Sequence, residues 1–572
     1  ACHVDDRIRE ARARRVADWF DRGGAMAYAA VKRSERPPPV LGVQAGDDVV
    51  MRPGQMAAAV SEHWAEIYGR GAPIDWPVVQ AQYGPALRAM APPAGPVPPL
   101  APVSGAALMA AAARTPLRTS AGVDGMSIAC LKALPLEVWN ALAAALDDVE
   151  RGAEWPAELR QGRVVLIAKG EPLLGIASPG ELRPITVLAQ VVRLWGRARM
   201  RDLRPWVAQW ALPTQAGLPG GPSPEGLLWH SAAQVERVRN AGELAVGVSF
   251  DLAKAFDSVE WDVVDALARV TEAPSGPLEA ALRLYKGLRR SFQAPGARVV
   301  SEPTGARRGV PQMCGLAPVI MALVARFWAG HLLALDLGAT LVQARLCVDD
   351  LHLMLHFADT RAFTVQRAQL ALQTVVEESL LLLRHIGHSV NVAKCRAWTT
   401  HPAMERGAPA GVETPGGGHV PWARGFRDLG VTWRANPGPR PEVEQNRDAV
   451  FRSRAEAVRP LNIGTTGRAK AAAALLRGPV YGAHMGPLAQ ARVLKVQSAA
   501  RLAVLAPTAS LHVWEVWLTV LVPGHRLDLR AAAGLQGLHA AWADPARAWV
   551  PVWRQYREEG VVAPRNGLGP VA

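Results

Sequence analysis

The chain has few cysteines, and none of the five, Cys2, Cys130, Cys314, Cys347 and Cys395, stands in a Cys-x-x-Cys pair. That argues against a disulfide framework and a zinc knuckle, and it fits a reducing compartment. The sequence also lacks an apolar run long enough to cross a bilayer: the longest stretches are broken by Arg326, His331, His512 and Glu515. With no recognisable signal peptide either, no membrane partner is expected. Acidic residues are in deficit, with 50 Asp and Glu against 64 Lys and Arg, a net charge of +14. Such a balance suits neutralisation of nucleic-acid phosphates, although a chain rich throughout in Ala, Arg, Gly, Pro and Trp is basic by bias alone. At 49% hydrophobic and 20% charged, 572 residues are enough for two or three folded domains, and the composition is not that of a disordered chain. The chain begins with Ala rather than Met, which leaves open a longer product with an endonuclease upstream.

What the sequence does contain is a pair of acidic motifs about a hundred residues apart, Phe250-Asp251-Leu252-Ala253-Lys254-Ala255-Phe256-Asp257 and Leu346-Cys347-Val348-Asp349-Asp350-Leu351. Each lies in an apolar run that reads as a buried strand, where carboxylates need a cation or strong donors to offset lost hydration. Ala344–Val348 and Leu351–Phe357 read as the two strands of a hairpin with Asp349-Asp350 at its tip. Asp251 falls at the carboxyl end of a strand over Leu244–Phe250, and the stretch from Ser258 to Val270 has helical apolar spacing. If strand and hairpin are neighbours, Asp251, Asp349 and Asp350 converge and can hold two Mg2+ ions, one activating a primer 3′-hydroxyl and one clamping a triphosphate. The plainer readings are an ordinary hairpin turn for Asp349-Asp350 and an N-cap of the following helix for Asp257.

Further motifs follow in order from about Thr119 to Trp433. They are Ala121-Gly122-Val123-Asp124-Gly125-Met126 with Leu131-Lys132, Gly162 to Lys169, Leu182-Arg183-Pro184-Ile185-Thr186-Val187-Leu188, Arg308-Gly309-Val310-Pro311-Gln312 with Leu316-Ala317-Pro318, Leu383 to Lys394, and Asp428-Leu429-Gly430-Val431. Together with the acidic motifs these resemble the reverse transcriptases of non-LTR (LINE-type) retrotransposons. The second-last group resembles the late palm helix-and-lysine segment, and the last the Tyr-Leu-Gly primer grip.

The resemblance implies an α+β right-hand polymerase with fingers, a ferredoxin-like palm and a helical thumb, acting as an RNA-directed DNA polymerase. It implies Asp251, Asp349 and Asp350 at the metal site, with two Mg2+ ions or Mn2+ in their place, and Lys394 as proton donor to departing pyrophosphate. Lys169 and Arg183 would contact the incoming triphosphate, Phe256 would stack under the nucleotide sugar and exclude a 2′-hydroxyl, and Gln312 would lie beside nucleotide and template. The implied partners are an RNA template, a DNA primer or target and dNTPs. Location would be nuclear or cytoplasmic, and the oligomeric state is not implied.

Three departures touch this pocket: Met313 stands where the family has Gly, Ala317 where it has Ser, and Cys347 where it has an aromatic. They motivate an alternative, a catalytically decayed nucleic-acid-binding protein. A viral-type RNA polymerase or an intron-maturase-like enzyme is a second. The expected division is residues 1–102 as a helical and Pro-rich linker region, 103–435 as fingers and palm, 436–543 as a helical thumb, and 544–572 as a tail. Within the second, Thr364 to His388 reads as one long amphipathic helix.

Overall fold

In the computed structural model, which describes residues 40–504 apart from 70–72, 94, 96, 171, 437–441, 459–467 and scattered positions within 469–489, apolar residues at alternate positions build one principal sheet. Its order is β11 (Ser389–Val390), β7 (Leu244–Ala253), β10 (Asp350–Phe357), β9 (Leu341–Cys347) and β6 (Gln215–Ala216), with β12 (Arg396–Thr399) also paired to β7. Val246, Val248, Phe250 and Leu252 on β7, Leu351, Leu353 and Leu355 on β10, and Ala344 and Leu346 on β9 share one buried core. That two-residue period turns the intervening positions, Asp251, Cys347 and Asp350 among them, to the opposite face.

The core face is closed by two helices. Ala317–Leu333 is apolar nearly all round and buried along its length, as a helix enclosed on every side must be. Its one guanidinium, Arg326, is matched by the carbonyls of Trp210 and Ala89, each at 2.8 Å. Ala362–His385 is the long amphipathic helix expected from the spacing, with Val365, Ala368, Leu372, Val375, Val376 and Leu383 inward. On the other face, Leu228, Val235 and Val238 of helix Pro224–Asn240 pack with Ala245, Met354, Trp398 and Trp433.

A second layer carries β3 (Gln161–Ala168) between antiparallel β5 (Leu182–Val187) and parallel β8 (Arg289–Phe292). Beside it lies a small sheet of β2 (Asp48–Val50), β1 (Gly42–Ala45) and β4 (Ile176–Ala177). Two hairpins complete the described strands, β13 (Val412–Glu413) with β14 (His419–Val420), and β15 (Phe426–Asp428) with β16 (Val431–Trp433). The architecture is α+β.

Much of the stretch expected to be linker is structured. Within residues 42–88 lie β1, β2 and helices Pro53–Gly69 and Trp76–Arg88. Met56, Val60, Trp64 and Ile67 form a stripe at helical spacing, buried against Val164, Leu182 and Phe292. Residues 1–39 of the expected linker region, 505–543 of the expected thumb and the tail 544–572 lie outside the described residues. Of the expected helical region after 436, Glu442–Val458 and Gln490–Val504 are described. Within that region Arg492 is paired with Asp448 at 2.8 Å and 3.0 Å.

Two buried histidines give the fold an acid limit. Burial, with Arg237 near His356 and Arg308 near His388, pushes each imidazole down to about 4. An unfolded chain protonates them near 6.5, so their contribution is fully present above that value and is lost as pH falls toward 4. Between pH 7 and 5 each is worth about 2 kcal/mol. His388→Gln should therefore shrink the pH 7 to pH 5 difference in urea unfolding free energy by about that amount. An unchanged difference would show that His388 is not held neutral.

Candidate active site

The register places Asp350 opposite Asp251 of β7 on one side and Cys347 of β9 on the other. Only Val348 and Asp349 connect β9 to β10, so Asp349 sits on the turn itself. Val348 has φ 60, a left-handed conformation that costs a β-branched residue on the order of 1–3 kcal/mol. Gly217 gives its side chain room, since a Cβ there would lie 2.7 Å from Val348 Cγ2. The three expected acids thus lie at one edge of one sheet.

Their charges act on one another. Burial, then the charges of Asp349 and Asp428, push the Asp350 carboxyl up to about 7, with Arg345 opposing. Its side chain opens to solvent at the sheet edge, so water softens that push without reversing it. Asp349 is raised as well, by burial and by Asp251, against its own backbone N–H and Arg183. Like charges at a common edge raise one another in this way until a cation offsets them.

The expected cations gather around these acids. Lys394 Nζ is 3.9 Å from Asp251 Oδ2, and Arg183 acts on Asp349. Lys169 donates to the Gly180 carbonyl at 2.8 Å. Burial, then Lys394 and Arg183, lower its ammonium, while Asp257 and Asp251 support it.

Beyond β7 the chain turns through left-handed Lys254, φ 51, into the 3-10 turn Ala255–Ser258, which carries Phe256 half-buried. The Phe256 carbonyl accepts the Val310 N–H at 2.8 Å, and Gly309 donates to the Val259 carbonyl at 2.8 Å. Gly309 has φ 93, and a Cβ on it would meet the Asp257 carbonyl oxygen at 2.9 Å, so only glycine fits this docking. Arg308 anchors the same loop, donating to the Ile67 carbonyl at 2.9 Å and pairing with Glu260 at 3.3 Å. Gln312 is thereby held on the loop that docks against the Phe256 turn.

Asp257 does not cap the next helix. Glu260 holds that place, and Asp257 is buried in the 3-10 turn, accepting the Tyr68 hydroxyl at 2.9 Å. Burial pushes its carboxyl up to about 6, against the Tyr68 hydrogen bond, Arg290, Lys254 and Lys169. Tyr68, Arg290, Arg345 and Asp428 were not among the expected site residues. Arg345 did leave a signal, a charge inside the strand Leu341–Cys347.

As to a metal, the oxygen donors at the sheet edge are of the type hard divalent cations take. Among the described residues no three His, Cys, Asp or Glu side chains are gathered closely enough to hold an ion as they stand. Asp251 lies beside Lys394 instead.

No family model matches the chain. Over 230 residues, 39% of the chain, it is 27% identical to the Drosophila melanogaster protein named "Probable RNA-directed DNA polymerase from transposon BS", covering 24% of it. Over 292 residues, 50% of the chain, it is 25% identical to the Drosophila melanogaster "Retrovirus-related Pol polyprotein from type-2 retrotransposable element R2DM", covering 25% of it. The resemblance to non-LTR reverse transcriptases holds. The chain spans about a quarter of the length of these relatives.

The three departures from the resembled motifs have local explanations. Met313 is half-buried and is not among the residues of positive φ, so the loss of glycine there strains no backbone. The close approach falls two residues later: a Cβ on Gly315 would lie 2.5 Å from the Gly196 carbonyl carbon. Ala317 is buried at the first turn of its helix. Burial, then Asp350 and Asp349, push the Cys347 thiol up to about 11, so it stays neutral beside the acids.

Among the described residues no helix is long and apolar enough to cross a membrane.

Proposed function

We propose that the chain is an RNA-directed DNA polymerase of a non-LTR retrotransposon, built as a right hand in which the principal sheet is the palm and β3, β5 and β8 belong to the fingers. The observation that carries this reading is the register of Asp350 against Asp251, with Asp349 on the adjoining turn. Two Mg2+ ions held by Asp251, Asp349 and Asp350 would supply an activated primer 3′-hydroxyl and neutralise the triphosphate. Mn2+ would serve in the same place.

The chain's own residues do the rest. Arg183, on β5 and close enough to act on Asp349, offers a guanidinium fork to phosphate oxygens, and Lys169 adds a point charge from the end of β3. Lys394, beside Asp251, can give a proton to departing pyrophosphate. Phe256 presents a ring where the sugar lies, leaving no space for a 2′-hydroxyl, and Gln312 adds a neutral amide on the loop docked to it. A cleft of about 580 Å3 beside β3, lined by Gly122, Gly162, Arg163, Arg289, Val300 and Pro303, offers an RNA template an approach. Location in nucleus or cytoplasm, where dNTPs and template are both at hand, follows from the same reading. Unstrained Met313 favours an active enzyme over a decayed one.

The test is primer extension on an RNA template with Mg2+, offering dNTPs or rNTPs to the chain and to Phe256→Ala. Extension should need dNTPs, and the variant should accept ribonucleotides at least tenfold better. No extension despite salt-sensitive binding of template and primer would favour the decayed reading, and preference for rNTPs an RNA polymerase.

A further inference from the structure

Arg345 is 3% exposed and points to the face of β9 that bears Cys347, the face of the acids. A guanidinium in such a place needs an anion. It finds Asp428, which is also buried, at the end of β15. The guanidinium also lies over the Trp433 ring, 5.1 Å from its centroid. Trp433 in turn meets His352, the β10 residue paired with Arg345, at 5.8 Å between centroids.

Asp428 immediately precedes a tight turn, Leu429-Gly430, in which both residues are left-handed, with φ 43 and 81. The turn is held from its other side. Tyr481 donates its hydroxyl to the Leu429 carbonyl at 3.0 Å, and Arg447 donates to the Gly430 carbonyl while stacking on Tyr481 at 4.7 Å. The β15–β16 hairpin therefore has two tethers: one to the strand that ends in the acidic turn, one to helix Glu442–Val458 and the segment behind it.

Resting on the polymerase reading above and on the resemblance of Asp428-Leu429-Gly430-Val431 to a primer grip, we propose that Arg345 and Asp428 are positioning residues that fix the hairpin relative to the acidic turn. Neither touches reacting atoms. The pair spans 83 residues of sequence and joins the two parts that must keep a constant separation, the one holding a primer terminus and the one holding the carboxylates. Asp428 stands where the resembled motif has Tyr, and here it carries an ionic link to β9. A buried ion pair is a poor source of net stability, because desolvation offsets most of its attraction. What it adds is direction, since the one guanidinium nitrogen that reaches Asp428 does so in this arrangement of strand and hairpin.

The test compares Arg345→Met, Asp428→Asn and the exchange Arg345→Asp with Asp428→Arg in the full chain. Two readings are taken: single-turnover primer extension, and the fluorescence of 2-aminopurine at the primer 3′ end in the complex with Ca2+, which needs no catalysis. Each single change should slow extension at least tenfold with template–primer Kd within threefold, and should raise the fluorescence at least twofold. The exchange should bring both back to within threefold of the parent. If Arg345→Met does not fold, Asp428→Asn, which keeps the shape, carries the same comparison.

Full-rate extension and unchanged fluorescence in the single variants overturn the proposal and leave the polymerase reading standing. So do losses that follow thermal stability alone and are not recovered by the exchange. A parent chain that never extends, yet shows the fluorescence pattern, rejects the polymerase reading and keeps the positioning role. Failure to bind template–primer at all rejects both.

Discussion

An Asp349→Asn chain is expected to extend a primer about a thousandfold more slowly than its parent, a loss of about 4 kcal/mol in transition-state stabilisation. The substitution keeps size and hydrogen-bonding capacity while removing the charge a metal would meet. Asp349 occupies a turn of two residues, where the carboxylate is held by a strained neighbour and by the register on either side. Asp251→Asn should do the same, because it faces Asp350 directly across the β7–β10 ladder. The measurement is single-turnover extension at saturating template and primer, with binding checked at the same salt concentration. Retention of a tenth of the parental rate by the Asp349 variant, with binding intact, would sink the assignment of this turn to the chemistry.

The largest expected effect on stability lies far from the acids. Glu150 is 8% exposed and accepts from Arg199 at 2.7 Å and 2.5 Å and from the Trp195 indole at 2.6 Å. It closes the end of helix Leu136–Glu150 onto helix Gln190–Asp202. Arg199 also reaches Asp202 at 3.1 Å and the Ala101 carbonyl at 2.8 Å, so part of its charge stays compensated without Glu150. Truncating Glu150 to Ala leaves a buried guanidinium and a buried indole N–H short of their acceptor, a cost of about 3–5 kcal/mol. The Glu150→Ala chain should unfold at markedly lower urea concentration. Glu150→Leu with Arg199→Met should recover most of the difference, since removing both charges together removes the desolvation cost as well. A loss under about 1 kcal/mol for the single change would mean that the cluster is not a fastening point.

How much of this was legible in the sequence depended on how local the determining forces are. Alternation placed β10 to within one residue, while the apolar runs located β7 and β9 but missed the last three residues of β7 and the first three of β9. The long helix Ala362–His385 followed from its apolar stripe for the same reason. The helix expected from Ser258 begins only at Trp261, because a 3-10 turn intervenes. Motif order gathered Lys169, Arg183 and Lys394 near the acids.

What failed was set by residues remote along the chain. Asp257 looked like a cap because Tyr68, 189 positions away, was out of view. Arg345 showed as a charge inside a strand and Asp428 as part of the primer-grip-like motif, but their pairing, 83 positions apart, was out of view. Residues 42–88 were overshadowed by the prolines on either side, although Met56, Val60, Trp64 and Ile67 already spelled one face of a helix.

That helix, Pro53–Gly69, has a consequence for where the working unit begins. Its last turn holds the Asp257 carboxyl through Tyr68, receives Arg308 on the Ile67 carbonyl, and takes the Arg307 N–H on the Tyr68 carbonyl at 3.0 Å. Two separate loops of the site are thus pinned to a segment that lies well before the first recognisable motif. A piece of this gene that recombined, duplicated or decayed at the motif boundary would carry all of the chemistry and none of the brace. The stretch ahead of residue 70 is therefore part of the same folded unit as the acids.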